Sequence, residues 1–305
     1  MTTITEGLFV DRTPIVRMEN DSLRVDVAPD IGGRIVNLVE KTSGHQFLWH
    51  NANLRLEKLA PGSAYDPNFY GGIDELLPSD IPEPLNDIDS PDHGELWTTS
   101  LGYRIDGEAF VLAGVLPLCG LRYERRLTLR ADGPTINADY RIENQTGERR
   151  EFLWKLHAAL NIEPGDQIEC PARTARAADL EWSRWHSLEP FAWPAIEGQR
   201  ADRIPPNDGT VDFLFLYDLA AGEIGWKSAS RGLEFSYHFD VEVFPYAWYF
   251  ASYGGFDSHY TAILEPCTTM PLSVNEAAKL DQCSVLEAGE RIETRVTIYA
   301  GPAEP

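Results

Sequence analysis

Two histidines and one glutamate stand where their neighbours favour proton chemistry. His157 lies in Phe152-Leu153-Trp154-Lys155-Leu156-His157-Ala158. Drawn as an extended strand, this segment puts Phe152, Trp154, Leu156 and Ala158 on one face and Lys155 and His157 on the other. A lysine and a histidine side by side under apolar flanks suit a concave polar face better than open solvent. His93 lies in Ser90-Pro91-Asp92-His93-Gly94-Glu95-Leu96-Trp97, at the end of a long loop. Glu265 closes the apolar run Tyr260-Thr261-Ala262-Ile263-Leu264-Glu265-Pro266. A carboxylate there is costly to bury unless it is paired or used. Together, a carboxylate and an imidazole can take one proton from a substrate and deliver another. Plainer readings exist for each: a hydrogen-bonded structural histidine and an exposed strand-end charge. Asp212, in Val211-Asp212-Phe213-Leu214-Phe215, is by the same standard a polar residue at a strand start.

Other chemistries find less support. His93 and Glu95, two apart on extended backbone, would point one way and could join His157 around a metal. No dense His/Asp cluster accompanies them, so no metal is expected. No glycine-rich loop of the phosphate-cradling form occurs, so no nucleotide cofactor is expected either. The cysteines, Cys119, Cys170, Cys267 and Cys283, form no CxxC pair, which disfavours a zinc knuckle.

The elements that must position these groups read as strands and turns almost throughout. Leu23-Arg24-Val25-Asp26-Val27 alternates apolar with charged residues, as a half-buried strand does. Arg34 to Val39 and Gln46 to Trp49 read as extended. Further strands are expected at Tyr123–Leu129, Thr135–Ile142, Phe152–Leu160, Val211–Tyr217, Leu233–Phe239, Ala247–Tyr253, Tyr260–Leu264 and Arg291–Tyr299. Asp132-Gly133, Asn144 to Gly147, Asp208-Gly209 and Ala288-Gly289 supply turns. Only Asn275 to Leu280 suggests a turn of helix. Many short strands with few helices predict an antiparallel, all-β sandwich or barrel. Ala60 to Pro91 and Pro164 to Pro206 read as long loops, which at this length are usually functional or partly disordered. No internal repeat or low-complexity linker divides the chain, so residues 1–305 are expected to form one domain.

Composition excludes several partners. The formal charge of −22 disfavours nucleic acid, whose phosphates need Lys and Arg, and anionic membranes. No apolar run approaches the roughly 20 residues that span a bilayer. The N-terminus, MTTITEGLFVDRTP, lacks a basic stretch followed by an apolar one, so no signal peptide is expected. A cytoplasmic protein with reduced thiols is the default. The eight Trp and twelve Tyr suit a thick β core or stacking on sugar rings.

Several segments resemble the galactose mutarotase-like superfamily, the aldose 1-epimerases. Gly71-Gly72-Ile73-Asp74-Glu75-Leu76-Leu77-Pro78 followed by Asp92-His93-Gly94 is similar to its paired "GGI…P" and "HG" segments. Lys155-Leu156-His157-Ala158-Ala159-Leu160-Asn161-Ile162 resembles its strand with the second histidine. Ala262-Ile263-Leu264-Glu265-Pro266, then Asn275 and Leu286-Glu287-Ala288-Gly289-Glu290, resembles its C-terminal pattern. The order and spacing agree from about Leu23 to Tyr299.

The resemblance implies an antiparallel β-supersandwich and cofactor-free epimerisation at the anomeric carbon of an aldose. It implies Glu265 as base, His157 as acid, His93 near the ring oxygen and Asp212 on a substrate hydroxyl. Departures occur. Asp74 and Glu75 stand where an arginine is frequent, and Trp248 stands where a glutamine is frequent. The hexose 6-phosphate branch typically carries an arginine after its first histidine, and Trp97 occupies that place. Trp97 is therefore expected to stack on a sugar face, with Asp74, Trp248, Lys155 and Arg34 as further sugar contacts. A neutral free sugar is the expected small-molecule partner. The other readings are a non-catalytic sugar-binding or sensing protein on the same fold, and a metal-assisted lyase or hydrolase.

Overall fold

The computed structural model describes residues 1–303. Alternation does what it predicts near the middle of the chain. Leu121–Leu129 and Thr135–Asn144 alternate buried with half-exposed residues and pair antiparallel from Leu121 opposite Asn144 to Leu129 opposite Ile136. They belong to an eight-stranded sheet, in which Arg291–Pro302 pairs with Thr135–Asn144 and Leu233–His238 follows.

The larger sheet has eleven strands. Its centre runs Ile73–Leu76, Lys155–Leu160, Tyr260–Cys267, Tyr246–Tyr253 and Thr210–Leu219, all antiparallel. Both faces of the first three are covered: every residue of Ile73–Leu76 and Lys155–Leu160 is buried, and all but the first of Tyr260–Cys267. One face of this sheet packs on the smaller sheet. Residues such as Val25, Leu38, Leu156 and Tyr249 meet Leu112, Tyr123, Leu127 and Val296 in one continuous core.

A buried ion pair crosses that core. The Glu75 carboxylate accepts from Arg125 Nη1 at 2.6 Å and from the Tyr140 hydroxyl at 2.9 Å through Oε1. Through Oε2 it accepts from the Tyr123 hydroxyl at 2.9 Å and Trp154 Nε1 at 3.0 Å. With four donors the charge is fully satisfied, and removing one partner of such a pair costs about 3–5 kcal/mol.

Several sequence expectations change. The loop expected at Ala60 to Pro91 contains Ile73–Leu76, a central strand. With both faces buried it has no alternation to show. The loop at Pro164 to Pro206 contains Gln167–Glu169 and Ala172–Ala177. The strand expected over Phe152–Leu160 breaks in two, because Leu153 N–H donates to Pro78 O and Trp154 N–H to Thr268 Oγ1 instead of to a ladder. Gln46–Trp49 makes only isolated bridges. Thr3–Val10, Thr13–Glu19, Gly102–Asp106, Ala109–Val115 and Glu223–Ser228 are additional strands. The one α-helix among the described residues, Val274–Ala278, lies where a turn of helix is expected, capped by Ser273.

Candidate active site

The face of the large sheet turned away from the core carries the chemistry. Strand period two sends Ile73 and Glu75 into the core and Asp74 and Leu76 to this face. In the ladder Asp74 stands opposite His157, and Lys155 opposite Leu76 and Cys267. On the next strand Ile263 and Glu265 face the same way, opposite Phe250 and Trp248. The loops over this face close a cavity of about 260 Å³. Asp80, His93, Lys155, His157 and Glu265 line one part of it. Tyr65, Phe69, Phe213, Phe250, Phe256 and Trp182 supply aromatic walls.

The loop glycines of the motif are needed for this closure. Gly71 has φ +96° and Gly94 has φ +71°. A side chain at Gly71 would collide with the Trp49 carbonyl, and one at Gly94 with the Leu77 carbonyl. Only glycine tolerates both the conformation and the approach.

His157 is held from behind. Its Nδ1 lies 2.9 Å from Asp74 Oδ1. Asp74 Oδ2 accepts from the Tyr65 hydroxyl and from Arg34 Nη2, each at 2.7 Å. Burial raises the Asp74 carboxyl, but the Arg34 guanidinium and His157 outweigh it and hold it well below the usual carboxylate range. An ionised Asp74 accepts a hydrogen bond from Nδ1–H, which leaves Nε2 for the cavity. The rings of Tyr65 and Phe69 meet His157 edge-on at 5.7 and 5.5 Å and fix its plane.

Lys155 links two carboxylates. Its Nζ is 2.6 Å from Asp80 Oδ1 and 2.5 Å from Glu265 Oε2, and it sits 4.5 Å above the Trp248 ring. Burial opposes the ammonium, yet the Asp80 and Glu265 charges raise it above the usual lysine range. Burial likewise pushes Asp80 up, and Lys155 more than reverses that. His93, with φ +56°, stacks flat on Tyr65 at 3.9 Å and bonds Asp92 through Nδ1 at 2.7 Å.

Four of the residues singled out in the sequence thus share one cavity: His93, Lys155, His157 and Glu265. Five expected sugar contacts do not line it. Asp74 and Arg34 stand behind His157, where Arg34 is consumed by Asp74. Trp97 is buried under Tyr65, edge-on at 5.0 Å, so Tyr65 lines the cavity and Trp97 does not. Trp248 lies beneath the Lys155 ammonium and donates Nε1–H to Thr269 O. Asp212 is turned into the core, because the next residue, Phe213, faces the cavity; it pairs with Arg184 and Tyr253 instead. Glu95 also turns away, accepting from Leu118 N and Cys119 N. Among the described residues no group of three or more His, Cys, Asp or Glu is arranged to hold a metal ion.

Sequence reasoning missed Tyr65, Asp80 and the aromatic walls. An aromatic pair, Tyr65 and Phe69, in a loop of Pro, Asp and Gly was the available signal. Phe213 and Phe250 were hidden because core and cavity aromatics look alike on a strand.

Solved structures share this fold over nearly the whole chain. A galactose mutarotase-like protein from Clostridium acetobutylicum superposes with a TM-score of 0.72 at 16% identity, over 98% of each chain. A candidate aldose 1-epimerase from Escherichia coli K12 gives 0.70 at 15%, over 98% of this chain and 99% of the other. A second candidate aldose 1-epimerase, from Klebsiella pneumoniae, gives 0.73 at 12%, over 98% and 82%. The fold is therefore the galactose mutarotase-like β-sandwich. The family model described as a domain of unknown function, DUF5107, matches residues 8–185, more than half of the sequence, and the chain belongs to that family.

Proposed function

We propose that the protein is an aldose 1-epimerase acting on a free, unphosphorylated sugar. The observation that carries this reading is the meeting of His157 and Glu265 on adjacent strands in one aromatic-walled cavity. Opening a pyranose needs a proton removed from the C1 hydroxyl and one delivered to the ring oxygen. Glu265 takes the first, and His157, protonated at Nε2 and steadied by Asp74, delivers the second. His93 hydrogen-bonds near the ring oxygen. The ring opens to the aldehyde, rotation about C1–C2 follows, and closure on the other face inverts C1. Aromatic rings such as Phe250 and Tyr65 pack against the sugar's C–H faces.

Among the described residues, neither Lys155 nor Arg34 is left free to take a phosphate. Lys155 already spans two carboxylates and Arg34 is bound to Asp74. Structural neighbours described as candidate aldose 1-epimerases add support at the level of fold. A second reading, sugar binding without turnover, is favoured by one feature: the would-be base Glu265 is itself ion-paired.

Anomeric exchange followed by NMR with a panel of free aldoses separates the two. Glu265→Gln and His157→Ala should each slow exchange by roughly 10²-fold or more. Near-wild-type exchange in Glu265→Gln rules the assignment out. Saturable binding with no exchange in the wild type favours the binding protein.

A further inference from the structure

The ion pair that engages Glu265 points to a role of its own. Asp80 Oδ1 and Glu265 Oε2 both touch Lys155 Nζ, at 2.6 and 2.5 Å. The two oxygens are therefore no more than about 5 Å apart, close enough for like carboxylates to oppose each other's ionisation strongly. All three side chains are at most 7% exposed, so water screens the repulsion poorly. Two buried carboxylates at that distance would share a proton unless a cation lies between them.

We infer that Lys155 is the positioning residue that keeps Glu265 an ionised base, by placing its ammonium between Glu265 and Asp80. This rests on the epimerase reading of the same cavity. The ammonium has little freedom to leave. The Trp248 ring lies 4.5 Å beneath it, and Lys155 stands opposite both Leu76 and Cys267 in the ladders. Among the charged and titratable groups around the pair is Asp66, which lines the same cavity and feels the Asp80 charge. Cys267 and Glu265 come from the neighbouring strand, His157 from the Lys155 strand, and Asp80 from the loop after Ile73–Leu76. His93 reaches Asp80 from the same loop region, with Nε2 4.0 Å from Oδ1. Tyr65 approaches from above and is kept a neutral phenol by burial and by Asp74. Only Lys155 supplies a permanent positive charge between the two acids. Because Lys155 pairs through Oε2, Oε1 is the Glu265 oxygen assigned to the substrate proton. The same ammonium ties the loop bearing Asp80 and His93 to the strand bearing His157. Base and loop are therefore set by one side chain.

The test is the pH profile of kcat for anomeric exchange in the wild type, Lys155→Met, Lys155→Arg and Lys155→Met/Asp80→Asn. In Lys155→Met the acid limb should move to higher pH by about 1–3 units, with kcat at pH 7 falling about tenfold or more. Lys155→Arg should keep the wild-type limb. The double variant removes the opposing carboxylate with the ammonium, so its limb should return toward the wild type. A lysine that served only packing would lower kcat with the limb in place, and that result overturns the proposal. Failure of the double variant to restore the limb overturns it too, and the double variant remains available if Lys155→Met does not fold. Should the wild type exchange no sugar at all, the epimerase reading fails separately. The Glu265 side-chain carboxyl, ¹³C-labelled and assigned with Glu265→Gln, then decides the electrostatic claim. Its titration midpoint must rise in Lys155→Met, and an unchanged midpoint overturns it.

Discussion

At the scale of single residues, Asp74 decides which nitrogen of His157 faces the cavity. Its carboxylate takes Nδ1, and Arg34 and Tyr65 hold the carboxylate in turn. Asp74→Asn keeps the shape and removes the charge. The imidazolium then loses its stabilising partner, and the buried Arg34, only 4% exposed, loses its counter-ion. We expect kcat to fall about tenfold or more with KM little changed, since Asp74 does not line the cavity. Steady-state exchange kinetics check this, and an Asp74→Asn enzyme whose loss lies wholly in KM contradicts it. Thermal stability should also drop, because an unpaired buried charge is costly.

At the scale of elements, the segment carrying Trp182 is moored to the sheet by its neighbour Arg184. Arg184 N–H donates to Val211 O, and its Nε donates to Asp212 Oδ2 at 2.9 Å. Arg184 also stacks over Trp185 and Tyr253. Trp182 thereby meets Phe256 edge-on at 5.6 Å and walls the cavity. Burial pushes the Asp212 carboxyl up to about 7, against the pull of Arg184 and Tyr253. A carboxyl whose folded value lies above its unfolded one, near 4, opposes folding only once ionised. That penalty is absent below pH about 4, grows as pH rises, and is complete above pH about 7. Asp212→Asn cannot ionise. The wild-type urea midpoint should therefore fall relative to that of Asp212→Asn between pH 5 and pH 8. A pH-independent difference would contradict this reading. Because the mooring holds Trp182, Arg184→Met should weaken sugar binding more than it slows chemistry, read as a rise in KM.

At the scale of the whole molecule, charge sets what enters and how firmly the fold holds. The net charge is −22, and Asp66 and Asp179 add carboxylates to the cavity lining. A dianionic sugar phosphate meets repulsion without a free donor fork. In competition between glucose or galactose and the matching 6-phosphate, the free sugar should show the higher kcat/KM, and the reverse order refutes the neutral-sugar reading. Self-repulsion of the same charge should be screened by salt, so Tm should rise between roughly 0.02 and 0.5 M NaCl. No helix of the described residues is long and apolar enough to cross a membrane.

The sequence by itself determined the strand-dominated architecture, because period-two alternation is a local property of half-buried strands such as Leu121–Leu129. It also picked out Lys155, His157 and Glu265, because polar groups in or closing apolar runs advertise themselves, and His93 through its Asp-His-Gly segment. Central strands buried on both faces, such as Ile73–Leu76, carry no alternation, and that one passed for loop. The tertiary structure alone decided which face each strand turns to the cavity. That choice sent Asp212 and Glu75 into the core and brought Phe213 to the site. It alone placed Lys155 between Glu265 and Asp80, residues 110 and 75 positions from it along the chain. The physical reason is that a ladder register fixes neighbours across the sheet, while the sequence shows only neighbours along the chain.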